Sequence, residues 1–115
     1  MQRLLTLTII FASALHMLAQ GTVEGRIVDA QNSRAIEFAN VVVRRQAGNA
    51  VVKNAHSDVE GKYSIRSLPY GKYTLSATFL GYKEKKVDFV LSEANRHIRL
   101  DDIILAEDVR TLSEA

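Results

Sequence analysis

From Val23 to Leu105 the chain never sustains a helical period, and this most narrows what it can fold into. It falls into short runs of β-branched and aromatic residues separated by Gly, Asn and Asp, with a single proline. Side chains alternate across a strand, so a run with apolar residues at every second position buries one face and wets the other. Lys72 to Phe79 is the clearest case: Tyr73, Leu75, Ala77 and Phe79 share one face, and Lys72, Thr74, Ser76 and Thr78 the other. Similar runs occupy Val23–Val28, Ala39–Arg44, Ala50–Ser57, Lys62–Arg66, Lys83–Leu91 and His97–Leu105. In the last, Ile98 and Leu100 are out of phase with Ile103 and Leu105, which predicts a bulge near Asp101-Asp102. Seven short strands without a helix predict an all-β, seven-stranded antiparallel Greek-key β-sandwich.

The segments between the runs carry turn chemistry. In Asp58-Val59-Glu60-Gly61 the Asp side chain is placed to accept from nearby backbone N–H groups, and Gly61 is free to take positive φ. Leu68-Pro69-Tyr70-Gly71 makes a second reversal, with Pro69 fixing φ. Gly81-Tyr82 bends the chain while keeping an aromatic ring over the sheet edge. Asp58, Gly61, Pro69, Gly71, Gly81 and Tyr82 are therefore expected to be structural turn residues.

The strand pattern starts only after a different kind of segment. Arg3 precedes an almost uncharged run from Leu4 to Leu18, closed by Ala19-Gln20-Gly21. The run is shorter than the ~20 apolar residues of a membrane span and shows no amphipathic stripe. A basic start, a short apolar core and a small-residue exit predict a cleavable secretory signal peptide over residues 1–20. A sandwich domain over 21–106 and a polar tail or linker over 107–115 follow. No membrane span is expected once the signal is removed. The chain lacks cysteine, so an exported domain must hold together through its core alone. A net charge of +2, partly carried by the signal, gives no reason to expect nucleic acid as a partner.

Five segments in order resemble a known pattern: Gly25-x-Ile27-Val28-Asp29, Ala39-Asn40-Val41-Val42-Val43, Ser57-Asp58-x-x-Gly61-Lys62-Tyr63-Ser64-Ile65, Leu68-Pro69-x-Gly71-Lys72-Tyr73-Thr74-Leu75, and Leu80-Gly81-Tyr82-Lys83. They resemble the carboxypeptidase regulatory-like domain, in the version found at the N-terminus of TonB-dependent receptors and related outer-membrane β-barrel proteins. The resemblance implies a transthyretin-like, prealbumin-like sandwich in the periplasm or at the outer membrane. It also implies an outer-membrane barrel or plug, or an energy-coupling periplasmic protein, as partner. In such receptors the segment similar to Leu105–Glu114 leads on to the plug and barrel; here the sequence stops at Ala115, so a piece of a receptor and a stand-alone copy both stay open.

Chemistry for catalysis is sparse. His56 and His97 fall on different predicted strands, and a metal site needs a third convergent ligand. His56, Asp58 and Glu60 alternate on one loop, where a solvated acidic turn is a simpler reading than a calcium loop. There is no Gly-x-Ser-x-Gly elbow, and the C-terminal Tyr-Arg-Gly-Ser of the hydroxyisourate hydrolases that share this fold is missing. Neither catalysis nor a cofactor is expected. Lys83-Glu84-Lys85-Lys86 reads first as a strand edge charged against unwanted pairing, and second as part of a partner surface. The leading expectation is a non-catalytic accessory domain of an outer-membrane transport system. The alternative is a secreted adhesion or carbohydrate-binding sandwich, for which Tyr63, Tyr70, Tyr73 and Tyr82 are the candidate platform.

Overall fold

The computed structural model describes residues 19–109; the expected signal up to Leu18, and Arg110–Ala115 of the expected tail, lie outside the described residues. Among the described residues eight strands form two four-stranded sheets. The strands are β1 (Gln20–Asp29), β2 (Asn40–Arg45), β3 (Val51–His56), β4 (Lys62–Pro69), β5 (Gly71–Thr78), β6 (Lys85–Leu91), β7 (His97–Arg99) and β8 (Ile103–Leu105). One sheet runs β4-β1-β7, with β8 also paired to β1; the other runs β3-β2-β5-β6. Among the described residues no helix is long and apolar enough to cross a membrane.

The all-β sandwich is as the alternation predicts, with two corrections. The expected seventh strand is two strands, because one extra residue interrupts the pairing. Glu24 faces Arg99 and Ile27 faces Ile103, so two residues of β1 lie opposite the three residues Leu100, Asp101 and Asp102. That bulge lets Ile98 and Ile103 each turn toward the core despite their broken phase. The sandwich is also not purely antiparallel, since β7 and β8 run parallel to β1. The cause is chain direction. β6 ends at the end of the sandwich where β1 begins, and the short Ser92–Arg96 link delivers β7 beside the start of β1, where Thr22 N donates to Arg96 O (2.9 Å).

Between the sheets the inward faces close on one core. Val23 and Ile27 of β1, Val41 and Val43 of β2, Tyr73, Leu75 and Ala77 of β5, and Ile103 and Leu105 of β8 are all buried. Tyr73 and Phe89 are directly paired across β5 and β6, and their rings stack with centroids 5.4 Å apart. Such a pair adds about 0.5–1.5 kcal/mol beyond its area burial. Phe79, in phase with this face, is 37% exposed, because β5 stops at Thr78 and the ring lies past the sheet.

The register also fixes which loops share an end. Asn40 is paired with both His56 and Thr78. The loops after β1, β3 and β5 therefore emerge side by side, together with the chain leaving β8. The turns after β2 and β4, the loop after β6 and the start of β1 lie at the other end.

Candidate interaction surface

At the shared loop end, the turn residues build a rigid frame. Asp58 Oδ1 accepts from the N–H groups of Glu60 and Lys62, each at 2.9 Å. Gly61 has φ of 77° and donates its N–H to Asp58 O (2.9 Å), while its own carbonyl accepts from Ile27 N (2.8 Å). Ser57, buried, clamps the neighbouring loop. Its Oγ donates to Ile36 O (2.6 Å) and accepts from Ala39 N (2.9 Å), and Phe38 N donates to Ser57 O (3.0 Å). This clamp holds Phe38 at φ 65°, a left-handed conformation that costs a bulky residue about 1–2 kcal/mol.

The strain turns an aromatic ring outward: Phe38 is 69% exposed, with its ring 6.0 Å from that of His56. It is not alone. Leu80, two residues past the Asn40–Thr78 row on the neighbouring chain segment, is 93% exposed. Val59, Phe79 and Val109 are exposed at the same end. Single exposed apolar residues are ordinary; several gathered on adjacent loops mark an interaction site.

The exit of the chain is fastened into this end. Lys83 N donates to Ala106 O and Asp108 N to Gly81 O, both at 2.8 Å, and Tyr82 bridges Glu107. The start of the expected tail is thus pinned through Asp108. Tyr82 Oη donates to Asp29 Oδ2 (2.5 Å), and Asp29 Oδ1 accepts from Gln31 N (2.7 Å) and Asn32 N (3.3 Å). The tyrosine hydrogen bond, with the backbone N–H groups behind it, holds the Asp29 carboxyl below the usual range. The same hydrogen bond, more than desolvation, pushes the Tyr82 phenol up to about 12.

A pH dependence follows from these two shifts. A depressed carboxyl contributes stability above its unfolded value of 3.8, lost as pH falls through the folded value. A raised phenol contributes stability below its unfolded value of 10.0, lost as pH rises toward about 12. Thermal unfolding followed by circular dichroism is expected to give a midpoint that drops on both sides, with Tyr82→Phe flattening both limbs.

The remaining sequence candidates are dispersed. Pro69 ends β4 and its carbonyl accepts from Tyr73 Oη; Tyr70 alone links Pro69 to Gly71, which opens β5. Tyr63 and Tyr73 are buried, and Tyr70 and Tyr82 half-buried, so the four tyrosines form no exposed platform. His56 sits at the loop end, whereas His97 lies at the other end, 3.3 Å from Glu24. Among the described residues no group of three or more His, Cys, Asp or Glu side chains is placed to hold a metal ion.

A cleft of about 470 Å³ opens where β7 and β8 part, lined by Glu24, Arg26, Lys62, Arg99 and Asp102. Part of its charge is matched by ion pairs. Arg99 Nη2 lies 2.8 Å from Glu24 Oε1 and Lys62 Nζ lies 3.0 Å from Glu60 Oε2, while Arg26 Nε donates to the Glu60 backbone carbonyl (3.1 Å). Hydrogen bonds from Arg99 and then His97 hold the Glu24 carboxyl below the usual range. Tyr63, directly opposite Gly25, lays its ring across the space a Cβ would occupy there. Its hydroxyl is buried without a partner, and desolvation, with Asp102 adding to it, pushes the phenol up. An unpaired buried hydroxyl costs about 1–3 kcal/mol, so Tyr63→Phe is expected to raise stability by about 1 kcal/mol in urea unfolding.

The sequence matches a known family over residues 22–105, described as the carboxypeptidase regulatory-like domain. The chain belongs to this family. No curated protein matches the sequence. Among solved structures, the chain is similar to BcpA, the major pilin subunit of Bacillus cereus, with a TM-score of 0.64 and 19% identity over 78% of this chain and 31% of that one. It is similar to the group B streptococcus pilus 2b backbone protein, with a TM-score of 0.62 and 15% identity over 81% and 43%. It is also similar to Klebsiella pneumoniae 5-hydroxyisourate hydrolase, with a TM-score of 0.61 and 21% identity over 77% and 92%. The chain spans less than half the length of either pilin. At these identities the likeness is one of fold, shared with pilus proteins and with an enzyme alike.

Neither the loop-end cluster nor the Ser57 clamp stands out in the sequence. Phe79 reads as core by phase, and Phe38 as the approach to a strand; only the position of the strand ends separates them. The available signal was Leu80-Gly81, an apolar residue directly before a turn glycine, where no strand face can cover it.

Proposed function

We propose that this regulatory-like domain is a non-catalytic interaction module, exported to the periplasm, that serves as an accessory to an outer-membrane receptor-like transport assembly. One observation carries the reading: five of the eight exposed large apolar side chains among the described residues, Phe38, Val59, Phe79, Leu80 and Val109, lie at the end of the sandwich from which the chain leaves. A module joined to, or seated on, a larger assembly meets it there. Phe38 and Leu80 are the anchors, presented on loops that a rigid sandwich positions. The clamp holds Phe38 in a strained left-handed conformation, and strain of this kind collects at binding sites.

His56 and His97 sit at opposite ends, which favours binding over catalysis. The adhesion alternative gains nothing from the tyrosines, none of which offers an open ring.

Binding and folding can be separated at Phe38. Replacing it by glycine removes about 1–2 kcal/mol of left-handed strain and adds a comparable chain-entropy cost of about 0.5–1 kcal/mol. Phe38→Gly is therefore expected to melt within a few degrees of the parent. Combined with Leu80→Ser, it is expected to move the protein from the outer-membrane fraction to the soluble periplasmic fraction of its host. A double variant that stays with the membrane, or a parent that never associates with it, contradicts the proposal.

A further inference from the structure

A sheet edge offers unpaired backbone groups, and a sandwich has four. Three of the four are obstructed here. On β4, Lys53 Nζ donates to Arg66 O (2.5 Å), Ser67 bulges at φ 59°, and Pro69 lacks an N–H. That same Lys53 reaches across from β3, whose pairing with β2 shifts register between Val43 and Arg44. The β7–β8 edge is broken by Leu100–Asp102.

The fourth edge, β6, has none of these devices. Its seven residues pair with β5 without a register shift. Which groups face outward follows from the ladder. Gln46 N donates to Lys72 O (3.1 Å), so Lys72, Thr74 and Ser76 turn their backbone groups toward β2. Tyr73, Leu75 and Ala77 then bond to Phe89, Val87 and Lys85. The N–H and C=O groups of Lys86, Asp88 and Val90 are left pointing out of the sheet, and no strand pairs with β6 on that side among the described residues.

The side chains along this edge have a direction. Lys83, Lys85 and Lys86 are exposed at its start, offset by Glu84, which lies 3.8 Å from Lys86. Toward its end Val90 is exposed and Val87 half-buried at the margin of the core. A second copy paired about the strand centre fits badly. An antiparallel β6–β6 pair centred on the strand sets Asp88 against Asp88, and directly opposed like charges destabilise a sheet.

We propose that β6 is a strand-accepting edge for an extended peptide segment of another protein. That segment is apolar where it passes Val87 and Val90, and acidic where it passes Lys83, Lys85 and Lys86. The backbone ladder supplies affinity, and the lysines reject basic strands while selecting acidic ones. This surface is separate from the loop end and stands or falls independently of it.

The test uses two capped probe peptides, Val-Thr-Val-Thr-Val-Glu-Glu and the same sequence ending Lys-Lys, with amide exchange read by NMR. The Glu-Glu peptide is expected to slow exchange at Lys86, Asp88 and Val90 by about tenfold or more, and to bind about tenfold more tightly than the Lys-Lys peptide at low salt. The preference is expected to shrink at high salt. Val90→Pro removes one outward N–H at a position where an edge strand tolerates proline, and is expected to abolish the protection. If that variant does not fold, Lys85→Glu with Lys86→Glu is expected to reverse the peptide preference. Absence of protection, equal binding of both peptides, an unreversed preference, or self-association in place of peptide binding overturns the proposal.

Discussion

Gly61→Val is expected to leave the domain largely unfolded at the temperature where the parent is folded. Two costs coincide. The position has φ of 77°, which a β-branched residue adopts only with strain. In addition, a Cβ there lies 2.6 Å from the carbonyl oxygen of Ile27 and 3.1 Å from Ala35 Cβ. The nearest atom is backbone of the central strand, so no side-chain rotation relieves it. We expect a loss of about 4 kcal/mol or more, a large share of the total stability of a small domain. Gly48 supplies the control. Its φ is 82°, yet nothing lies within 4 Å of the added Cβ, so Gly48→Ala is expected to cost only about 1 kcal/mol. Urea unfolding of the two variants separates strain from collision.

Ser57→Ala is expected to cost about 2–4 kcal/mol, more than its removal of one oxygen suggests. The hydroxyl satisfies Ile36 O and Ala39 N, backbone groups of two buried residues. Alanine leaves both unpaired, and each buried orphan costs about 1–3 kcal/mol. The same variant is expected to release Phe38 from its left-handed conformation, detectable as a change in the amide shifts of Ile36 to Ala39. A cost below about 1 kcal/mol would mean that water replaces the hydroxyl and that the loop is not clamped.

These expectations also mark what the sequence made legible. The inward faces of β2 and β5 were written in alternation, because a period of two depends only on local geometry. Asp58 and Gly61 were readable for the same reason: the turn closes within four residues. The parallel pairing of β7 and β8 was not readable, since a strand alternates identically whichever way its neighbour runs. The bulge at Leu100–Asp102 left a trace as a phase change, but not the gap it opens against Gly25 and Arg26. Contacts between distant residues left no trace. Ser57 meets Ile36 and Ala39 across 21 and 18 residues, and Tyr82 reaches Asp29 across 53. The proposed docking surface belongs to that last class, because it exists only where three loops and the chain leaving β8 meet.

The most direct test of the account places a photo-reactive phenylalanine at position 80 or 38, and for comparison at position 51, in cells producing the full chain. Val51 is also apolar and exposed, but it lies at the opposite end of the sandwich. The account predicts that positions 80 and 38 cross-link to the same outer-membrane protein and that position 51 does not. Cross-linking at position 51 alone, or none at 80 and 38, would contradict it.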